Sequence, residues 1–413
     1  MMLNFVYPVK GVRMDPRKNP YAPGAGTKPP ALVGRDAQIE AYDILLDRLE
    51  NGYAEQSMII TGLRGVGKTV LLDVFREIAE KRRWATVEWE VEKNSPFGSR
   101  MSSHVRRALL QIAPKARWNE RIRRAASILR SFTMTFNPDG AVTAGIDVEA
   151  LAGAGDSGEI SEDLTDLFTA VGEAARDMGV GVIFLLDEIQ YLASEELEAL
   201  IMALHKCARR SLPITLVGAG LPQIPRLAGE AKSYSERLFR FPIIDRLDQE
   251  TDARDALVRP ARELGVEYES GAVDQVVAYT QGYPYFLQEY GKLLWDEASR
   301  SPIRCQDAKD VLPLVEARLD ESFFRVRADR TTELELKYLR AMAEVGPCPQ
   351  RASDVAARIG RTTQQVGPIR SRLIDKGLLY TPGYGYAAFT VPQFDRYMVR
   401  HHPERGRRGD LQS

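Results

Sequence analysis

The sequence predicts an α/β fold in three parts: a parallel sheet covered by helices, a wholly helical segment, and a small block of helices closed by a hairpin. Three observations predict it. Short, nearly continuous apolar runs ("SMIITG", "GVIFLLDE", "PITLVGAG") alternate with amphipathic stretches of helical length up to about residue 243. Strands look like this when both faces of a parallel sheet are covered. Strand-like runs then stop, and helical spacing dominates 248–325. Finally, "TPGYGYAAFTV" follows three helical patterns and reads as a Gly/Tyr-rich hairpin.

Residues 1–30 are rich in Pro and Gly and read as an extended arm. "DAQIEAYDILLDRLENG" sets Ile39, Tyr42, Ile44, Leu45 and Leu49 at helical spacing and closes on Gly52. "SMIITG" is a strand ending at Gly62, with a helix from Thr69; "WATVEWEV" is the next strand. Residues 100–135 read as helical. "SFTMTFNPDGAVTAGIDV" alternates around Asp139-Gly140 and predicts a β-hairpin, and "LAGAGDSGEI" a linker. A helix over 163–178 leads into "GVIFLLDE", and one over 195–210 into "PITLVGAG". The expected domains are an arm (1–30), an α/β core (31–243, with an insertion at about 100–160), a helical lid (244–330), a helix–hairpin block (331–400) and a basic tail (401–413).

Composition excludes several classes. The 413 residues carry a net charge of −1 with 44% apolar and 27% charged residues, ordinary for a globular chain of two or three domains. The longest apolar run, "GVGVIFLL", has 8 residues, against the ~18–20 that a membrane helix needs. Cys207, Cys305 and Cys348 lie far apart without a C-x-x-C pair, which reads as free thiols in a cytoplasmic protein.

The chemistry is concentrated in two motifs. "GLRGVGKT" fits G-x-x-x-x-G-K-[ST] between a predicted strand and a predicted helix. Gly62, Leu63, Arg64, Gly65, Val66, Gly67 and Lys68, with Thr69 and Val70 opening the helix, can wrap backbone N–H groups around phosphates. Lys68 would reach the β- and γ-phosphates, and the Thr69 hydroxyl would ligate Mg²⁺. "VIFLLDE" ejects Asp187 and Glu188 at a strand's carboxyl end, where ligands of open α/β sheets sit. Asp187 would share the Mg²⁺, and Glu188 would act as general base toward water. The bland alternative is an acidic pair at a helix N-terminus. No N-K-x-D motif is present, which favours ATP over GTP.

Charge is unevenly spread. Nine Lys/Arg and one acid occupy 100–130, with Trp118, Ile122, Ala125 and Leu129 marking a buried face and Arg117, Arg121 and Arg124 a basic stripe. That stripe is either a phosphate contact or a solvated helix. Seven acids and no base lie in 147–166, a segment that is either a plain linker or a screen for the basic helix. From 361 to 413 nine Lys/Arg face four Asp/Glu.

With these motifs, the chain resembles AAA+ ATPases, close to Orc/Cdc6-like initiators and archaeal-type or STAND-like ATPases. "LVGRDAQIEAY" resembles the stretch before the P-loop, where Val33, Gly34 and Arg35 would border the adenine. "TQGYPYFLQEYG" resembles the lid, with Pro284 where many members present a sensor-2 arginine. At the sensor-1 position, often Asn, Ser or Thr, stand Gly218, Ala219 and Gly220, with Gln223 the nearest amide. These departures imply slow hydrolysis. "SYSERLFRF" resembles the arginine-finger segment. Arg237 is the candidate and Arg240 the second, unless Arg237 merely pairs with Glu236.

Residues 331–400 resemble the winged helix of initiator-type members. Thr363, Gln364, Gln365, Arg370 and Arg372 would then be exposed on a recognition helix, with Tyr384 and Tyr386 at the wing tip. The implied function is a slow, ATP- and Mg²⁺-dependent switch on duplex DNA, with a homo-oligomer or protein partner possible and no membrane role. The alternative is a STAND-like signalling ATPase whose C-terminal block recruits a protein.

Overall fold

A computed structural model describes residues 14–24, 26–137 and 148–402. By their contacts they form two units. One is Arg35–Gly62 with Lys68–Ile244; the other combines the residues up to Gly34, Leu63–Gly67 and the chain from Asp245 on. Among the described residues, no helix is long and apolar enough to cross a membrane.

The first unit is built on a parallel sheet. Helix α1 (Asp36–Glu50) precedes β1 (Ser57–Thr61), and α2 (Lys68–Lys81) precedes β2 (Ala85–Glu90). Three helices follow: α3 (Phe97–Ile112), α4 (Glu120–Phe136) and α5 (Ile160–Asp177). Then come β3 (Val182–Asp187), α6 (Ser194–Arg209), β4 (Ile214–Gly220), α7 (Ile224–Ala231), α8 (Ser235–Leu238) and β5 (Phe239–Arg240). The strand order is β2-β3-β4-β1-β5, with every pairing parallel. Every residue of β1 and β4 is buried, as their mostly apolar sequences lead one to expect, and the buried hydroxyls of Ser57 and Thr215 pair with each other at 3.0 Å. The strand carrying the acidic pair is therefore not beside the P-loop strand; β4 lies between them.

The expected hairpin at 131–148 is corrected over its first half. Residues 131–136 complete α4 instead. Phe132 and Phe136 are four apart, so they share a helix face as readily as a strand face; their rings lie 4.8 Å apart. The Thr133 and Thr135 hydroxyls donate to the carbonyls of Leu129 (2.7 Å) and Ser131 (3.1 Å), the i−4 bonds by which a helix accommodates threonine. The turn at Asp139-Gly140 lies outside the described residues.

The segment between the nucleotide motifs belongs to the core. Val105 and Leu109 of α3, Ile122 and Leu129 of α4 and Phe168 of α5 pack in one cluster with Phe184 of β3 and Leu200 of α6. Ile122, Ala125 and Leu129 are fully buried and Trp118 packs beside them, while Arg117, Arg121 and Arg124 are exposed. The acidic segment lies along α4, with the Arg130 guanidinium donating to the Val148 carbonyl and the Ser131 hydroxyl to that of Leu151 (2.8 Å), but among the described residues its acids make no ion pair with Arg117, Arg121 or Arg124. Arg121 pairs with Glu173 (4.0 Å) and Asp177 (3.5 Å) of α5, beyond that segment. Asp163 turns inward to accept the N–H groups of Ser157 (2.8 Å) and Gly158 (3.0 Å).

In the second unit, the described arm is pinned to the helices. The Tyr21 hydroxyl donates to the Leu257 carbonyl, and the Trp295 indole to the Asp15 carbonyl at 3.0 Å. The helices are α9 (Asp252–Arg262), α10 (Ser270–Thr280), α11 (Pro284–Glu297) and α12 (Cys305–Leu319). A π-helical turn over Asp320–Arg325 leads to the short α13 (Val326–Ala328). Gly282, between α10 and α11, has φ 72°, and a Cβ there would lie 2.2 Å from the Leu247 carbonyl oxygen. Only glycine fits that approach. Pro284 then starts α11 where a missing N–H costs nothing.

The C-terminal block comprises α14 (Glu333–Val345), β6 (Gln350–Arg351), α15 (Ala352–Arg358), α16 (Thr363–Asp375), β7 (Leu379–Tyr380), β8 (Tyr386–Phe389) and α17 (Phe394–His401). The strands form an antiparallel sheet in the order β6-β8-β7. Sequence reading missed α17, whose Phe394, Tyr397 and Met398 supply a short buried face. Glu335, fully buried, caps α14 through the Thr332 N–H (2.7 Å) and pairs with Arg372 of α16 (3.1 Å) and with Lys376, the residue that follows α16 (2.6 Å).

Burial alone would raise the Glu335 carboxyl, but Lys376, the Thr332 N–H and Arg372 outweigh it and hold it at about 2. A depressed carboxylate stabilises the fold above its unfolded value and loses that contribution as pH falls through the folded one. Urea melts of the wild type should therefore weaken between pH about 4.5 and about 2. Glu335→Gln should cost about 2 kcal/mol at neutral pH, less than the full shift because Arg372 is half exposed, and should flatten that acid dependence.

Candidate nucleotide site

The P-loop runs from the end of β1 to the start of α2, which begins at Lys68 itself. The first N–H groups of a helix lack partners within it and favour anions. Gly65 (φ 83°) and Gly67 (φ 94°) adopt left-handed backbone that curls the loop. A Cβ at Gly65 would come 3.1 Å from the Tyr283 hydroxyl, so this position also needs a small residue. The Lys68 ammonium, largely buried, donates to the Gly62 carbonyl at 3.0 Å.

The P-loop helix and the acidic strand meet at one contact. The Thr69 hydroxyl donates to Asp187 Oδ2 at 2.5 Å. Burial raises the Asp187 carboxyl above the usual range, while the Thr69 hydroxyl and the Glu188 N–H act to lower it. A hydroxyl and a partly desolvated carboxylate side by side are hard oxygen donors that suit Mg²⁺. These residues fit a magnesium nucleotide: Thr69 and Asp187 for the cation, Lys68 and the loop N–H groups for phosphate.

Glu188 follows in left-handed backbone (φ 52°, ψ 36°), costly for a non-glycine residue. Its N–H donates to Asp187 Oδ1 at 2.8 Å, which holds the turn. One oxygen of its carboxylate accepts from the Gln190 amide. Gln190 in turn accepts the Leu221 N–H at 3.2 Å, at the end of β4. Sequence reading missed Gln190, though it lies only two residues beyond the acidic pair.

The glycines of β4 acquire a reason here. Thr61 of β1 pairs with Gly220, and Leu186 of β3 with Gly218. A Cβ at Gly220 would meet Gln190 Oε1 at 2.7 Å and Ile224 at 2.9 Å; one at Gly218 would meet Ile189 at 3.0 Å. The residues after the acidic pair fold over the strand end, so a side chain at 220 must displace Gln190 or Ile224 and one at 218 must shift Ile189 slightly. Gln223 starts the turn into α7, and its Oε1 is buried without a partner among the described residues.

The remaining candidates are scattered. Gly34 (φ 65°) lies against Asp252, and Arg35, buried, opens α1. Val33 is half-buried, Val70 buried. Arg237 is exposed on α8 and makes no ion pair with Glu236 among the described residues; Arg240 pairs with Glu55 at 3.6 Å. On α16, Thr363 and Gln364 are exposed, but the Gln365 side chain caps the helix by accepting the Thr362 N–H at 3.0 Å. Arg370 donates to Thr381 (3.1 Å) and the Tyr386 carbonyl (2.6 Å), and Arg372 is held by Glu335. Tyr384 projects fully into solvent.

Residues 31–217 match the family described as AAA ATPase domain. That match spans 187 of the chain's 413 residues and includes the P-loop and the acidic pair. Residues 321–398 match a family described as a domain of unknown function, DUF8462. No curated protein matches the chain. Among solved structures the chain is similar to Cdc6p from Pyrobaculum aerophilum, at 15% identity over 94% of this chain and 98% of that one, TM-score 0.46. It is similar to the Aeropyrum pernix Orc1 protein in complex with DNA, at 15% identity over 90% and 94%, TM-score 0.43. It is also similar to the Thermotoga maritima RuvB Holliday junction branch migration motor, at 16% identity over 88% and 96%, TM-score 0.43.

Restoring a polar side chain at the end of β4 should not help the AAA domain. Gly220→Asn must push aside Gln190 and Ile224, at about 1–3 kcal/mol. A lower thermal midpoint with no gain in ATP hydrolysis is the expected result.

Proposed function

We propose that this chain is an ATP-hydrolysing, duplex-DNA-binding switch whose intrinsic turnover is slow. The observation that carries the ATPase part is the Thr69–Asp187 contact, made beside Lys68 and Glu188 in an AAA ATPase domain. ATP would lie with its phosphates along Gly62–Thr69. Lys68 would leave the Gly62 carbonyl to neutralise charge on the β- and γ-phosphates. Glu188 would take a proton from the water that attacks the γ-phosphorus. Magnesium held by Thr69 and Asp187 would supply charge neutralisation between the phosphate oxygens.

Slow turnover is supported by two departures from the AAA+ sequence pattern. Gly218 and Gly220 offer no side chain, and Pro284 offers no cation. Arg237, exposed and without an ion pair among the described residues, is suited to act on the nucleotide of a neighbouring copy. A supplied arginine of this kind raises rates by ~10³–10⁵.

The DNA part draws on the C-terminal block, read as a winged helix: three helices (α14 to α16) with α17 added after the strands, a three-stranded sheet and a projecting tyrosine. Arg370 and Arg372 hold the block together, so contact with DNA falls to Arg361, Thr363 and Gln364 at the exposed start of α16, and to Tyr384. A small exposed set of this kind fits shape and backbone contact better than extended base reading.

Titration of duplex DNA with ATP, ADP or neither, at two salt concentrations, tests the whole reading. Affinity should depend on the nucleotide and fall steeply with salt. Absence of binding at low salt would reject the DNA part. Lys68→Ala should abolish ATP binding, whereas Glu188→Gln should bind ATP normally and lose about 10²-fold or more in hydrolysis. Normal hydrolysis by Glu188→Gln would remove Glu188 as the base.

A further inference from the structure

We propose that Gln190 is a positioning residue that orients the Glu188 carboxylate by tethering it to the end of β4. The inference rests on reading Glu188 as the base. Both ends of the Gln190 amide are engaged: its N–H₂ donates to Glu188 Oε2, and its oxygen accepts the Leu221 N–H at 3.2 Å. The amide can have only one sense. Turned over, its oxygen would face a carboxylate and its N–H₂ would face an N–H, both repulsive. Gln190 therefore acts as a directional clamp on one carboxylate oxygen.

The need for a clamp follows from the backbone. Glu188 sits in left-handed conformation at φ 52°, in the turn where β3 gives way to a 3₁₀ segment, Ile189–Tyr191. Its side chain leaves that turn rather than a regular strand, so strand geometry does not set its direction. The Asp187 carboxylate fixes the backbone through the Glu188 N–H, and Gln190 fixes the side chain.

The bare end of β4 belongs to the same arrangement. The Gln190 oxygen occupies the space that a Gly220 side chain would need, 2.7 Å from an ideal Cβ. Position 220 thus gives up its side chain to a residue arriving from β3, and that residue points at the base. The clamp also links Glu188 to the junction of β4 and α7, so displacement of Leu221 would reach the carboxylate through one side chain. Positioning of this kind is worth about 10²-fold per ångström of misplacement.

Single-turnover ATP hydrolysis across pH, with affinity for a fluorescent ATP analogue and thermal midpoints, separates the outcomes for wild type, Gln190→Ala and Gln190→Glu. Gln190→Ala should lose about 10–100-fold in kcat and keep analogue affinity within about 3-fold. Gln190→Glu should move the acidic limb of the kcat–pH profile upward, because two adjacent carboxylates resist ionising together. Wild-type kcat in Gln190→Ala with an unshifted limb in Gln190→Glu overturns the proposal. So does parallel loss of affinity and thermal stability, which marks a packing role. A wild type that binds the analogue but whose hydrolysis is untouched by Glu188→Gln removes the base reading first, and the proposal with it.

Discussion

The nucleotide site depends on one topological constraint: β4 lies between the P-loop strand and the acidic strand. Two strand spacings separate β1 from β3, about 9–10 Å. The first turn of α2 spans that gap, and Thr69 meets Asp187 at 2.5 Å. Because β4 ends under this contact, its last residues are crowded by whatever folds over them. Ile189, Gln190 and Ile224 do so, and glycine at 218 and 220 is the consequence. A stretch that lacks a sensor in the sequence becomes, in the fold, a floor on which another residue's amide rests.

Much of this was legible in the sequence. Buried parallel strands are mostly apolar, so β1, β3 and β4 declare themselves despite Ser57, Thr61 and Thr215. Phosphate chemistry admits few solutions, so Lys68, Thr69, Asp187 and Glu188 stand out by spacing and context. What could not be read depends on long-range partners. Residues 131–136 fit both periods, and helical packing of Phe132 against Phe136 decided between them. Gln190 looks like any polar residue after a strand until Leu221, 31 positions on, is placed beside it. Arg370 and Arg372 look like ligands for DNA until Tyr386 and Glu335 take their hydrogen bonds.

The same competition for polar groups shapes the C-terminal block. Glu335 is taken up by capping α14 and by holding Arg372 and Lys376 at the end of α16, and Arg370 by joining α16 to the strands. Stability is obtained from residues that would otherwise be available to a ligand. What is left at the surface is small and clustered at the start of α16 and at Tyr384.

The central claim is that Thr69 and Asp187 act as one cation-binding pair. Mn²⁺ can replace Mg²⁺ and report its surroundings by paramagnetic resonance. Affinity for Mn²⁺·ATP and for metal-free ATP, measured in wild type, Thr69→Ala, Asp187→Asn and the double variant, forms a double-mutant cycle. The expected result is a loss of about 10–100-fold in metal-dependent affinity for each single variant, little further loss in the double, and unchanged metal-free binding. Fully additive losses, or equal losses with and without metal, would contradict it.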